Sequence, residues 1–234
     1  MHFFYMPEIA GEEVILNAEE SRHCIRVLRL KKNDTISLVD GKGNLFNAVL
    51  IKPDPANSKV RIVKTIREYK KRNHHLHIAI APTKKTERFE WFLEKVTEIG
   101  IDEITPIVCA RSERMSVNME RVDRIIIAAM KQSHRAYLPR FNPLKDYQRF
   151  LTETTCKSKI ITHCNSQDLQ MITKQIIPDT PAAVLIGPEG DFTPDEVSQA
   201  MFHGFREASL GHFVYRTETA GIMACYLFNL IYEQ

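Results

Sequence analysis

The spacing of the hydrophobic positions changes near residue 75. Between residues 35 and 66, apolar side chains lie in short runs, separated by a Gly-containing turn at 40–44 and by a Pro-containing loop. Runs bounded by turn residues in this way are typical of short β-strands. From residue 76 onward, strand-like apolar runs alternate with stretches in which apolar residues recur every three or four positions, as in amphipathic helices. The chain is therefore predicted to begin as a small β domain and to continue as an α/β domain.

Periodicity predicts four strands and three helices in the second region. The strands are expected at 76–81, 104–109, 160–164 and 182–186, and the helices at 86–99, 120–132 and 219–231. Alternation of this kind predicts a mostly parallel sheet with helices on both faces. The charged, aperiodic segment 67–75 is the expected linker, so the predicted domains are 1–72 and 73–234.

Composition narrows the class of protein. Apolar residues make up 44% of the 234 residues, which is enough for a buried core. No apolar stretch approaches the roughly 20 residues that a membrane-spanning helix needs. The apolar run at the start is ended by Pro7 and Glu8, so it lacks the pattern of a signal peptide. We therefore expect a soluble, cytoplasmic protein that does not enter a membrane.

The cysteines do not form a recognisable metal-binding or disulfide pattern. The chain has five of them, with no CxxC pair and no histidine spacing that resembles a zinc site. We expect free and mostly buried thiols, and no bound metal.

Positive charge is concentrated at the start of the chain. The whole chain carries a formal charge of only +3, but residues 1–72 contain 14 Lys and Arg against 9 Asp and Glu. In "SRHCIRVLRLKK" the cations alternate with apolar residues that can hold them on one surface. This distribution favours a polyanionic partner such as nucleic acid, although an ordinary solvated face has the same composition.

The segment "IGPEGDFTPDEV", residues 186–197, directly follows a predicted buried strand. In parallel sheets, ligands bind beyond the carboxyl ends of the strands, often at Gly-containing turns. Thr193, Pro194 and Glu196 have the spacing of a capping box with proline at the first helical position, so a helix is predicted to begin there. Helix capping leaves Glu189 and Asp191 unexplained. The chain has neither a GxGxxG nor a GxxxxGK[ST] motif, so a dinucleotide-binding fold and a P-loop are both unsupported.

Several of these segments together resemble one known family. They are "RHCIRVLRLKKNDTISLVDGKG", "EKVTEIGIDEITPI", "KQSHRAYLP", "IGPEGDFTPDE" and "SLGHFVYRTETAGIMA", and they cover nearly the whole chain in order. The sequence is similar to the ribosomal RNA small-subunit methyltransferase E family, which methylates N3 of a uridine in 16S rRNA. The resemblance implies an α/β fold of the SPOUT class, with a trefoil-knotted, mostly parallel sheet preceded by a small PUA-like β-barrel that binds RNA. It also implies a homodimer, S-adenosyl-L-methionine as cofactor, and 16S ribosomal RNA or the small ribosomal subunit as partner.

The resemblance also implies the site residues. The cofactor pocket would comprise Leu185, Ile186, Gly187, Pro188, Glu189, Gly190, Ser209, Leu210, Gly211, Tyr215, Arg216, Thr217, Thr219 and Ala220. Arg216 is the candidate for stabilising the anion that forms when uridine N3 loses its proton, unless it pairs with Glu218 or a loop carboxylate instead. Glu189 would orient the loop backbone or a ribose hydroxyl, or act as an electrostatic partner of substrate or sulfonium. RNA would contact Arg22, Arg26, Arg29, Lys31, Arg111 and Arg135.

Two positions depart from the family pattern, because Asp191 stands in place of a glycine and His212 in place of a cation, and two other functions stay open. The usual run is GPEGG, but Asp191 replaces the last glycine, which puts the backbone torsion there in doubt. A ribose 2′-O-methyltransferase of the same superfamily is one alternative function. A non-catalytic RNA-binding ribosome-assembly factor with the same fold is the other.

Overall fold

A computed structural model of the protein describes residues 2–164 and 169–232. The chain divides into two compact units. One contains the residues up to 71 together with 127–138, and the other contains 72–126 and the residues from 139 onward. Residues 127–138 were expected in the second domain, but they belong to the first unit. The domain boundary at residue 72 stays a prediction.

The first unit is built on a curled five-stranded sheet. Its strands are β1 (Phe3–Tyr5), β2 (Glu13–Ile15), β3 (Thr35–Val39), β4 (Leu45–Lys52) and β5 (Lys59–Ile66), in the order β1-β3-β4-β5-β2. β1 pairs with β3 in parallel, and the other pairs are antiparallel. The predicted turn between β3 and β4 is present, and Asp40 stabilises it by accepting hydrogen bonds from the backbone N–H groups of Lys42 and Asn44.

Helix α1 (Ala18–Arg22) covers the sheet of the first unit. It begins at Asn17, whose side chain accepts a hydrogen bond from the Glu20 N–H, and it continues into a π-helical turn at His23–Val27. Cys24 on this turn belongs to the buried cluster that includes Phe4, Leu38 and Leu50. The apolar side of the turn therefore faces the core.

The second unit contains a seven-stranded sheet in which every pairing is parallel. Its strands are β6 (Leu76–Ile80), β7 (Glu103–Val108), β8 (Arg140–Phe141), β9 (Lys145–Asp146), β10 (Ser158–Thr162), β11 (Ala182–Ile186) and β12 (Arg206–Ala208). The order is β12-β10-β11-β6-β7-β8, with β9 also beside β7. The helices after β6 are α2 (Thr86–Ile99), α3 (Met119–Gln132), α4 (Tyr147–Glu153), α5 (Ile172–Gln175), α6 (Pro194–Phe202) and α7 (Thr217–Tyr232). Residues 127–132 of α3 belong to the first unit.

The long elements were predictable from their spacing. All five residues of β6 and of β11 are buried, as expected for central strands of a parallel sheet. α2 ends where predicted, because Gly100 adopts a φ of 120°, which other residues rarely adopt. The short strands β8, β9 and β12 and the short helices α4 and α5 were not predicted, because so few residues show no periodicity.

Helices cover both faces of the parallel sheet, as predicted. On one face, Ala79 and Leu185 share a buried cluster with Phe150 of α4 and Ala200 of α6. On the other face α7 approaches closely: a Cβ at Gly221 would lie 2.5 Å from the Phe92 ring of α2 and 3.1 Å from Ile80. Within the described ranges, no helix is long and apolar enough to cross a membrane.

Candidate functional site

A cavity of about 610 Å³ lies at the carboxyl ends of β10 and β11. This is the edge of the sheet at which parallel α/β folds bind ligands, and the volume lies in the range of small-molecule sites. Four segments supply the walls: the end of β10, the residues just before α5, the loop after β11, and the stretch that leads into α7. The lining residues are Thr162, His163, Cys164, Leu169, Met171, Ile186, Gly187, Pro188, Glu189, Asp191, Ser209, Leu210, Gly211, His212, Phe213, Val214, Tyr215, Arg216, Thr217 and Ala220.

Most residues of the predicted cofactor set line this cavity, and three do not. Leu185 is buried in the core cluster beneath the sheet. Gly190 belongs to the loop but is exposed and does not line the cavity, and Thr219 lies on the first turn of α7. One wall of the cavity is formed by Thr162, His163 and Cys164. These residues were not predicted to belong to the site, although the predicted strand 160–164 ends there.

The loop after β11 is anchored to the start of α7. The carbonyl oxygen of Gly187 accepts a hydrogen bond of 3.0 Å from the buried hydroxyl of Thr217. A Cβ at Gly187 would lie 3.1 Å from the ring of Phe192, so a larger residue would disturb the loop. Two of the predicted cofactor segments are therefore held together by a direct contact.

Glu189 orients a neighbouring backbone segment. Its Oε1 accepts a hydrogen bond of 2.9 Å from the backbone N–H of Lys84, in the segment that follows β6. The Lys84 ammonium pairs with Glu113, and its pKa is raised mainly by Glu113 and further by Glu189. The exposed carboxylate of Glu189 thus contacts the backbone of the segment after β6, and its role towards cofactor or substrate stays a prediction.

Asp191 adopts the backbone conformation that a glycine would adopt. Its φ is 59°, in the left-handed region that aspartate tolerates better than most residues. Its N–H donates to the carbonyl of Pro188. One carboxylate oxygen accepts from the N–H of Phe192 at 2.8 Å, and the other accepts from the N–H of Cys164 at 2.9 Å. The side chain therefore joins the loop after β11 to the end of β10.

Arg111 supports the same loop from outside. Its Nη1 donates a hydrogen bond of 2.6 Å to the carbonyl of Gly190, and a Cβ at Gly190 would lie 3.3 Å from the Arg111 side chain. Arg111 was predicted as an RNA contact. In the structure Arg111 binds the backbone of the loop at Gly190, and its contact with RNA stays a prediction.

The predicted capping box at the start of α6 is confirmed. The Thr193 hydroxyl accepts a hydrogen bond from the Glu196 N–H, and the Glu196 carboxylate accepts one from the Thr193 N–H. Glu196 is also buried, and its second oxygen accepts from the N–H of Ala110 at 2.7 Å. The sequence did not reveal this last contact, which fixes the chain just beyond β7.

The turn at 209–211 shapes the opposite side of the cavity. The Ser209 hydroxyl accepts from the Gly211 N–H and donates to the Gly211 carbonyl. Gly211 has a φ of 146°, and a Cβ there would lie 3.0 Å from the Tyr215 hydroxyl. Backbone groups of this turn can therefore approach a ligand closely.

Arg216 is exposed and lines the cavity. The carboxylate of Glu218 is buried and lies 3.6 Å from Nε of Arg88, so Glu218 pairs with that arginine instead. Among residues 2–164 and 169–232, Arg216 forms no ion pair. Its charge is thus available at the cavity, although its catalytic role stays a prediction.

The wall at the end of β10 contains a histidine and a cysteine. The buried His163 side chain lies with Nε2 2.9 Å from Oε1 of Glu207. Partial burial, and secondarily the charge of Asp191, raise the pKa of the Cys164 thiol. Since a cysteine attacks as the thiolate, a raised pKa argues against covalent catalysis by Cys164. No disulfide joins the described cysteines, as predicted, and Cys24, Cys109 and Cys225 are buried.

The sequence matches two family models that together cover most of the chain. The RNA methyltransferase domain matches residues 70–229, and the RNA methyltransferase PUA domain matches residues 16–63. A ribosomal RNA small subunit methyltransferase E from Synechocystis is 29% identical over 98% of this chain and 78% of its own length. The chain belongs to the ribosomal RNA small subunit methyltransferase E family.

Solved structures show the same architecture over the full length of this family member. A probable rRNA-methyltransferase from Porphyromonas gingivalis is 36% identical with a TM-score of 0.92, covering 100% of this chain and 99% of its own. A ribosomal RNA small subunit methyltransferase E from Neisseria gonorrhoeae, bound to S-adenosyl methionine, is 28% identical with a TM-score of 0.90, covering 99% of this chain and 98% of its own. The predicted α/β fold with a PUA-like first domain is confirmed, and the trefoil knot stays a prediction.

The predicted RNA-contacting residues of the methyltransferase's first unit lie mostly on its surface. Arg22, Arg26, Arg29 and Lys31 are all exposed, on α1, on the π-helical turn and just after it. Arg135 is half-buried, and its N–H donates to the carbonyl of Met130. The first four cations form a basic surface, which we call the α1 surface.

Proposed function

We propose that the protein transfers a methyl group from S-adenosyl-L-methionine to N3 of a specific uridine in 16S ribosomal RNA. The observation that carries this proposal is the cavity of about 610 Å³ at the ends of β10 and β11. Its walls include most residues of the segments 185–190, 209–211 and 215–220, which the family resemblance connects with the cofactor. The Neisseria gonorrhoeae relative is described as bound to S-adenosyl methionine, and so is a Legionella pneumophila methyltransferase that is 27% identical.

The cavity fits an adenosine-containing cofactor. Leu169, Met171 and Leu210 line it and offer apolar surface for a base, and the polar residues Thr162 and Ser209 also line it. At Gly187 and Gly211 neighbouring rings already occupy the space that a side chain would need, so no side chain stands between the backbone of these loops and the cavity. Loops 186–190 and 209–211 would hold the cofactor mainly through the backbone.

The protein's part in the reaction is positioning and charge stabilisation. When bound, S-adenosylmethionine supplies a methyl group that its sulfonium already activates. The residues around the cavity hold the uridine in line with that methyl group and exclude water. Arg216 stabilises the negative charge that develops on the uracil ring as N3 loses its proton. Glu189 keeps loop 186–190 in place through Lys84.

The α1 surface supplies the first RNA contact. Its cations, Arg22, Arg26, Arg29 and Lys31, bind phosphates of the small-subunit RNA and orient the substrate. Arg111 and Arg135 are further RNA contacts in this proposal. The match of residues 16–63 to an RNA methyltransferase PUA domain supports an RNA-binding role for this unit.

The functional protein is a homodimer that acts in the cytoplasm, where ribosomal subunits are assembled. α7 carries two apolar side chains that its own unit leaves exposed, Tyr226 at 53% and Leu230 at 36%. A second copy would cover these side chains. Sedimentation of the purified chain measures its mass directly.

Mass spectrometry of small-subunit RNA tests the proposed reaction. RNA from cells lacking the protein is expected to have lost one methyl group from the base of a single uridine, and adding the purified protein with S-adenosylmethionine should restore it. Loss of a ribose methyl group instead would identify a 2′-O-methyltransferase. Unchanged RNA, together with no cofactor binding in calorimetry, would identify a non-catalytic assembly factor.

A further inference from the structure

Asp191 places a carboxylate in the wall of the cavity, at a position where the family pattern has glycine. The side chain is half-buried, and both of its oxygens accept backbone hydrogen bonds, from Cys164 and from Phe192. These two donors belong to different segments, so they hold the carboxylate in one orientation. A glycine at this position would preserve the backbone conformation but would remove the charge.

The other charged groups in the wall are less fixed or differ in sign. Glu189 is exposed and directed to the Lys84 N–H, so water screens its charge. Arg216 is an exposed cation and His212 is an exposed histidine. His163 is already paired with Glu207. Two carboxylates line the described part of the cavity wall, Glu189 and Asp191. Since Asp191 is half-buried and Glu189 is exposed, water screens the charge of Asp191 less than that of Glu189.

The methyl donor and the spent product differ by one charge. S-adenosylmethionine carries a sulfonium cation, whereas S-adenosylhomocysteine has a neutral thioether and is otherwise the same molecule. A fixed negative charge in a partly enclosed cavity attracts the cation more strongly than the neutral sulfur. Any contact that depends only on shape treats the two ligands alike.

We propose that Asp191 is a specificity-determining residue that favours the methyl donor over the demethylated product. The carboxylate lowers the Kd of the sulfonium form and leaves that of the thioether form nearly unchanged. Release of the product after each turnover is thereby assisted, since transfer of the methyl group removes the attraction. This inference rests on the proposed cofactor.

Isothermal titration calorimetry of each ligand against the purified protein tests it. Asp191→Asn removes the charge, while asparagine still tolerates the left-handed conformation and keeps a carbonyl oxygen as acceptor. We expect the Kd of S-adenosylmethionine to rise about fivefold, on the order of 1 kcal/mol, and that of S-adenosylhomocysteine to change less than twofold. Asp195→Asn, an exposed carboxylate at the start of α6, is the matched control, and its Kd ratio should equal that of the wild type.

A second variant distinguishes the effect of the lost charge from an effect of misfolding. Asp191→Gly introduces the residue of the family pattern and should shift the ratio of the two Kd values in the same direction. Equal weakening of both ligands in both variants would overturn the proposal, and would show that Asp191 only positions the loop. A wild-type protein that binds neither ligand would instead overturn the proposed cofactor itself. Binding of both ligands with a ratio unchanged by either substitution would refute the role of Asp191 alone.

Discussion

The Thr217 hydroxyl donates a hydrogen bond of 3.0 Å to the carbonyl of Gly187, and both residues are buried. This contact joins the first residue of α7 to the loop after β11 across 30 positions of sequence. It holds two walls of the cavity at a fixed separation. Loss of the hydroxyl therefore affects both the stability of the fold and the shape of the cavity.

Thr217→Val is expected to lower the free energy of unfolding by about 1–3 kcal/mol, because the buried Gly187 carbonyl loses its partner. The Kd of S-adenosylmethionine should rise as well. Urea unfolding and calorimetry measure the two effects. Thr217→Ser retains a hydroxyl and serves as the control; a serine variant as weakened as the valine variant would contradict the explanation.

Removal of the charge of Arg216 should reduce turnover far more than it weakens cofactor binding. Arg216→Ala is expected to lower kcat by about 10²–10³, a loss typical for one group that stabilises developing negative charge. Because Arg216 is exposed, the fold should keep its stability. Single-turnover methyl transfer and calorimetry separate the two steps. Arg216→Lys keeps a positive charge and should recover part of the rate, whereas a near wild-type rate in the alanine variant would exclude the catalytic role.

Glu196 should matter for stability far more than its neighbour Asp195. The Glu196 carboxylate accepts hydrogen bonds from Thr193 and from the N–H of Ala110, and Glu196→Ala leaves these donors without a partner. We expect a loss of about 2–3 kcal/mol in the free energy of unfolding. Asp195→Ala removes an exposed carboxylate from the same helix turn and should cost about 0.5 kcal/mol or less. Equal losses would show that only the helix dipole is involved.

The local features of the site were predictable, and the long-range ones were not. The loop 186–191 and the start of α6 follow from an apolar run at 182–186, two glycines and a capping box that lie close together in sequence. The contribution of Cys164 depends on β10 lying beside β11, and strand order does not follow from periodicity. The contact of Arg111 with Gly190 spans 79 positions, so its charge alone suggested RNA instead.

The backbone torsion of Asp191 illustrates the same limit. A change from glycine to aspartate raised doubt about the loop, since most residues avoid positive φ. The structure keeps the torsion at 59° and uses the new carboxylate to bind the N–H groups of Phe192 and Cys164. The first of these donors is adjacent in sequence, but the second comes from the segment just beyond β10. Sequence alone could therefore show the substitution but not its consequence.

The α1 surface should account for part of the salt dependence of RNA binding. Each phosphate contact contributes a slope of about −0.7 to −0.9 in log K against log salt concentration. Removal of two cations by the double substitution Arg22→Ala and Arg26→Ala should therefore make the slope less steep by about 1.5. Filter binding at several salt concentrations measures it. Lys157→Ala, an exposed cation of the second unit, should leave the slope unchanged; a double variant with the wild-type slope would place the RNA elsewhere.

Acid should destabilise the second unit through His77. This histidine is buried at the start of β6, with Nε2 2.7 Å from the Thr105 hydroxyl, and burial lowers its pKa from 6.5 to about 4 despite the nearby Glu103. The unfolded chain therefore takes up the proton first, and stability is lost as the pH falls from about 6.5 to about 4. The loss attributable to His77 should be about 2–3 kcal/mol over that interval. Urea unfolding at several pH values measures it, with His77→Gln, which cannot titrate, as the comparison. Parallel pH profiles for the wild type and the glutamine variant would show that other groups cause the acid sensitivity, whereas a flatter profile in the variant identifies His77 as its source.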